Sequence, residues 1–229
     1  MRFLKQIPLV LALLIAAQAG ADSIILVIAD GMGVEHMKLG QDGAGAPWTG
    51  FTHFTVVDNA PACGGVPDSA ATATAIATGH RTANRRIGTL EDGKPVRSIA
   101  ETARGMGFRV GIITNDRLTG ATPAAFYAHV KDRSERGAIA DFLFASGFDL
   151  FIGGGGDCLS AAKARRAGYD RRTSLDRPLG PKVLVALDDE EMPYLMDEPV
   201  KGRLLPAVER ALERFSRDRK QFFLMIESA

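Results

Sequence analysis

Five stretches of this chain run apolar with hardly a polar interruption: residues 23–29 (SIILVIA), 109–114 (RVGIIT), 149–152 (DLFI), 183–187 (VLVAL) and 222–226 (FFLMI). Continuous runs of this kind predict strands of a parallel sheet, buried on both faces. Residues 51–57 alternate more and predict a further strand at an edge. Between the runs the period changes. Residues 98–106 and 136–145 read as helices that stop close to a glycine, as helix C-termini favour. Residues 204–215 set Leu205, Val208, Leu212 and Phe215 on one helical face. Strands alternating with helices predict an α/β domain with a mainly parallel sheet. Residues 170–201, charged and punctuated by proline, read as a surface loop or small insertion. The glycines at 153–156 lack the Lys-Ser or Lys-Thr of a phosphate-binding loop and read as a turn.

The start of the chain follows another logic. Arg2 and Lys5 precede an apolar run over 7–17, then Gln18-Ala19-Gly20-Ala21. That pattern predicts a secretory signal peptide over residues 1–21, leaving 22–229 as one domain exported to a periplasm or the exterior. The apolar run is too short to span a bilayer, which takes about 20 helical residues. Charge adds an exclusion: 28 Lys and Arg against 27 Asp and Glu leave a net charge of +1, which rules out a strongly basic nucleic-acid binder. Two cysteines, Cys63 and Cys158, allow one bridge or two free thiols, and no disulfide scaffold.

Ligands of open parallel sheets collect beyond the carboxyl ends of strands. Asp30, the Asn115-Asp116-Arg117 triplet and Glu227 are predicted there. Two carboxylates on neighbouring strand ends would make a hard oxygen site for a divalent cation. A Gly- and Pro-rich loop delivers Asp68 and Ser69 to the start of a helix of small residues. A helix N-terminus favours an anion, and a serine there is either an N-cap or a nucleophile. Ser69 lies in no G-x-S-x-G motif and has no nearby histidine, so a metal ion is the other means of activating its hydroxyl. Thr122 before Pro123 reads as a cap with proline in the first turn. Arg133 suits a phosphate fork, or else belongs with Lys131 and Asp132 to a solvated charged face. His129 reads as a packed or capping histidine rather than a ligand.

Four segments, IADGMG, PDSAATATAIATG, ATPAAFYAHVKDR and FFLMIES, occur in the order and at the separations of one family. From Ser23 to its last residue the chain resembles the alkaline phosphatases. The resemblance implies a three-layer α/β/α fold and zinc- and magnesium-dependent hydrolysis of phosphate monoesters through phosphoserine. It implies that Ser69 is the nucleophile and that Asp30 bridges a zinc and the magnesium site. Thr122 and Glu227 would be further magnesium ligands. Arg133 would grip two phosphate oxygens, its guanidinium held by Asp68. A homodimer of the complete protein is compatible with the family.

The chain departs from the family twice. The position two before the threonine of A-T-P, usually Asp or His, is Gly120. The remaining zinc ligands of the family lie downstream of FFLMIES, and none of His36, His53, His80 and His129 falls in a matching segment. The expectation is therefore the N-terminal part of a catalytic domain, inactive alone and ending on an uncovered, aggregation-prone FFLMI strand. Sulfatases are disfavoured, because no C-x-P-x-R or S-x-P-x-R surrounds a nucleophile. The alternative is a non-catalytic exported module that binds phosphate or metal.

Overall fold

The computed structural model describes residues 23–41, 50–53, 55–193, 203–217 and 220–229. The predicted signal peptide and residues 194–201 of the predicted loop lie outside them. Five strands fall on the five apolar runs: β1 (Ile24–Ala29), β2 (Arg109–Arg117), β3 (Leu150–Gly154), β5 (Val183–Ala186) and β6 (Phe222–Ser228), with a short β4 (Asp170–Arg172). They form one parallel sheet in the order β1-β6-β2-β3-β5-β4.

Successive strand residues point to opposite faces, and each face has its own helical layer. Val110, Ile112, Phe151, Leu184, Phe223 and Met225 pack under α2 (Ser69–Thr78), α3 (Ile99–Gly105), α4 (Ala121–Ala124), α5 (Arg136–Ala145) and α6 (Ala161–Arg166). Ile113, Ile152, Val185, Leu224 and Ile226 face α7 (Leu204–Arg217) through Ala207, Ala211 and Phe215. A further helix, α1 (Val34–Gln41), follows β1. The architecture is the three-layer α/β/α sandwich expected. Alanines let α2 sit close: Ala70, Ala73 and Ala77 are buried. Gly111 does the same for the opposite layer, since a Cβ there would stand 2.9 Å from both Phe215 and Leu224.

Several local expectations are overturned. β1 is not buried on both faces: among the described residues it lies at the sheet edge, paired to β6, and Val27 is 65% exposed. FFLMI is not uncovered: β6 is hydrogen-bonded on both sides, between β1 and β2, and Phe223 to Met225 are fully buried. The described residues of 51–57 form no strand. Within 170–201, besides the strand predicted at 183–187, residues Asp170–Arg172 also join the main sheet, as β4. Of the predicted α7 face, Leu205 is exposed, and Ala207 and Ala211 take the buried positions. Gly153 and Gly154 end β3 rather than forming a turn. Cys63 and Cys158 are free thiols.

His129 is packed, as expected, and it is also paired. Its Nε2 lies 3.0 Å from Glu101 Oε1 and its Nδ1 2.8 Å from the Gly88 carbonyl. Two acceptors call for two N–H donors, which only the imidazolium offers. The hydrogen bond to Glu101 accordingly raises the His129 pKa above its usual 6.5, against the opposing effect of burial. A raised histidine stabilises the fold fully below the unfolded value and loses that contribution as pH rises through the folded one. The thermal midpoint should therefore fall as pH climbs past about 6.5. His129→Gln should flatten that segment of the profile; an unchanged slope would assign it to other groups.

Candidate active site

The ends of the three neighbouring strands β1, β6 and β2 converge. Register places Glu227 of β6 beside Ile28 of β1 on one side and Thr114 of β2 on the other. Asp30, immediately after β1, is tied to this corner by its backbone N–H, which donates to the Ser228 carbonyl at 2.8 Å. Glu227 is 1% exposed and accepts a hydrogen bond from the Thr114 hydroxyl. Burial pushes its carboxyl up to about 7; hydrogen bonds from Thr114 and Thr122 pull the other way, and the charges of Asp116 and Asp30 add to the rise. Asp116 is likewise raised, chiefly by burial. Acidic groups that resist ionisation together present the electrostatic demand that a cation satisfies.

The nucleophile question turns on one hydrogen bond. Asp68, not Ser69, caps α2: its Oδ1 accepts from the Ala71 N–H at 2.9 Å. Ser69 is the first helical residue, so its hydroxyl is free to donate to Asp30 Oδ2 at 2.9 Å. Asn84 holds the loop from the other side, accepting from the Asp68 N–H at 2.9 Å and donating to the Val66 carbonyl at 3.0 Å. The second carboxylate oxygen of Asp68 accepts from the Arg85 N–H at 3.0 Å and from Arg133 Nη1 at 3.4 Å. One aspartate thus joins the start of α2 to the guanidinium.

Thr122 does not cap α4. Gly120 occupies that position without a side-chain cap, and Thr122 lies inside the helix with its hydroxyl 3.5 Å from Asp30 Oδ2. The Asp30 carboxylate therefore receives both Ser69 and Thr122, while Thr122 also reaches Glu227. Beside this corner a cleft of about 310 Å³ is lined by Asp116, Gly120, Arg133, Arg136 and Glu191 among others; Ser69 and Asp30 are not part of its lining.

The sequence-predicted residues Asp30, Ser69, Thr122 and Glu227 are brought together, and Arg133 with Asp68 stands next to them. Two supporting residues, Asn84 and Thr114, escaped sequence reasoning. Thr114 ends the RVGIIT run and could have been found as the last side chain before the strand's carboxyl end. Asn84 lies in a loop with no motif around it. Among the described residues no three His, Cys, Asp or Glu side chains gather closely enough to hold a metal by themselves. Hydroxyls must complete any cation site, and an all-oxygen set of Asp30, Thr122 and Glu227 suits a hard cation such as magnesium.

Residues 21–156 match the family model of alkaline phosphatases. Over an alignment of 237 positions that covers 90% of this chain and 50% of the relative, the chain is 28% identical to alkaline phosphatase 3 of Bacillus subtilis. It is 35% identical over 170 residues to a streptomycin-6-phosphate phosphatase of Streptomyces griseus, covering 61% of this chain and 37% of the relative. A His-to-Asp variant of the TAB5 alkaline phosphatase, from an Antarctic bacterium, with Mg bound in its M3 site, superposes with a TM-score of 0.82 at 29% identity, covering 90% of this chain and 63% of that one. The chain spans half or less of the length of these two curated relatives. With the family model covering more than half of it, the chain belongs to the alkaline phosphatase family.

Proposed function

We propose that the full-length protein is an exported, metal-dependent phosphomonoesterase working through a phosphoserine at Ser69. The observation that carries this reading is the freed Ser69 hydroxyl, donating to Asp30 Oδ2 at 2.9 Å from the first position of α2. Phosphoryl transfer needs an in-line nucleophile and charge stabilisation on the transferred oxygens. As the Ser69 Oγ–P bond forms, the P–O bond to the alcohol breaks and the alcohol leaves with a proton. The hydroxyl proton of Ser69 already points at Asp30 Oδ2, which can take it. Water then cleaves the Oγ–P bond, releasing inorganic phosphate and restoring the serine. The dipole of α2 and the Arg133 guanidinium favour the anionic phosphate throughout.

Asp30, Thr122 and Glu227 would hold magnesium, and Asp30 with Ser69 would offer oxygens toward a zinc. Such cations, when bound, supply charge stabilisation at the attacking and leaving oxygens and ease the ionisation of water. With no larger ligand group among the described residues, the 229-residue chain by itself should turn over little ester. Export is supported by Arg2, Lys5 and the apolar run that follows.

The full-length protein should hydrolyse a chromogenic phosphate monoester, lose that activity in EDTA, and regain it with zinc and magnesium. Metal-dependent phosphate binding without turnover would favour the non-catalytic module instead. Arg133→Ala should weaken inhibition by inorganic phosphate more than it slows the chemical step. A charge-assisted contact of this kind contributes about 1.5–3 kcal/mol, roughly 10- to 150-fold in the inhibition constant. An unchanged constant would return Arg133 to the solvated surface.

A further inference from the structure

Position 120 is a glycine for a reason the structure displays. A Cβ built on Gly120 would stand 2.4 Å from Asp116 Oδ2 and 2.9 Å from the Arg117 carbonyl. The space a side chain at 120 would enter is filled by the carboxylate of Asp116, reaching over from the end of β2. The backbone that carries Asp116 is held from behind. The Asp116 N–H donates to Thr114 Oγ1 at 2.9 Å, and the same hydroxyl donates to Glu227. Asp116 also lines the cleft together with Gly120 and Arg133, and its charge adds to the rise at Glu227 while the Arg133 charge opposes its own.

We infer that Asp116 is a positioning residue of this site, its carboxylate orienting the water shell of a magnesium ion held by Asp30, Thr122 and Glu227, in the space that Gly120 leaves open. The inference rests on the functional reading above. One carboxylate can enter this corner from the strand end or from position 120, and the 2.4 Å approach forbids both in their present conformations. Magnesium keeps several waters, and outer carboxylates that bind those waters tune its affinity. Asp116 shares the cleft with Arg133 and acts through its charge on Glu227, so a water it holds there would lie within reach of the cation corner.

Magnesium binding to the full-length protein, followed by calorimetry, tests the assignment without recourse to activity. Asp116→Asn keeps the shape and removes the charge, and should lower magnesium affinity about 10- to 100-fold while leaving the thermal midpoint in EDTA unchanged. Gly120→Ala should also weaken magnesium, by displacing the Asp116 carboxylate, and its effect should shrink in an Asp116→Ala background, where the Arg117 carbonyl is the remaining close contact. Unaltered affinity in Asp116→Asn would overturn the inference while the functional reading stands, provided Asp30→Asn still abolishes binding. If the unmodified protein binds no magnesium, both fall together.

Discussion

Ser69→Ala in the full-length protein is expected to abolish covalent capture of phosphate and to cut turnover on the order of 10³-fold or more, as loss of a nucleophile does. The expectation follows from the division of labour at the start of α2. Because Asp68 provides the cap, the substitution removes a hydroxyl without removing the N-cap. Stability should therefore change little, since alanine is the best helix former. Asp30, Thr122 and Glu227 remain, so magnesium binding should survive. Labelled monoester, quenched in acid, reads the outcome directly. Label on a residue other than Ser69, or undiminished turnover by the alanine variant, would remove Ser69 from the mechanism.

The cap was the point at which sequence alone stalled. Asp68 and Ser69 are both good N-cap residues, and no pattern in PDSAATATA says which of them performs it. Only the backbone decides: extended at Asp68, with φ −91° and ψ 170°, and helical from Ser69 on. At Thr122 the same reasoning misled, because Thr-Pro is a good start signal but the helix is capped two residues earlier, at Gly120. The Gly120 N–H donates to the Arg117 carbonyl, and the helix begins at Ala121. A side chain predicted to cap was turned toward Asp30 instead.

Strand existence was legible and strand position was not. Five apolar runs became five strands because parallel strands between two helical layers have no polar face to show. Nothing in FFLMI says that it enters between β1 and β2, and chain order suggests the reverse, a last strand at the margin. The long crossover that inserts β6 there also makes the site, since it puts Glu227 between Ile28 and Thr114. The carboxylate nearest the end of the chain thus becomes one of its most buried. β1 carries an equally apolar run yet lies at the edge, so the same sequence signal accompanies opposite burial.

Asp149→Ala should be among the most destabilising single substitutions on the far side of the molecule from the site. The carboxylate is 3% exposed and precedes β3. It accepts from Arg109 Nη1 at 2.6 Å, from Arg104 Nη1 at 3.2 Å and from the Val110 N–H at 3.0 Å. Its own backbone bonds the Val110 carbonyl and the Val183 N–H, so the residue stitches together the starts of β2, β3 and β5. Truncation leaves a buried amide without that acceptor and two guanidinium groups without their carboxylate. Breaking a buried charged pair costs about 3–5 kcal/mol. The lower end applies here, because the Arg104 and Arg109 side chains are 41% and 24% exposed and can turn to water. At about 2–4 °C per kcal/mol for a chain of this size, the thermal midpoint should drop by about 6–12 °C. Asp149→Asn retains an acceptor for the Val110 amide and should lose markedly less. The exposed pair of Lys163 and Asp141 supplies the contrast, its side chains 53% and 59% exposed. Such a surface pair contributes below about 1 kcal/mol, so Lys163→Ala should barely move the midpoint. Equal shifts for Asp149→Ala and Lys163→Ala in thermal or urea unfolding would mean that the buried carboxylate does not tie the strand starts together.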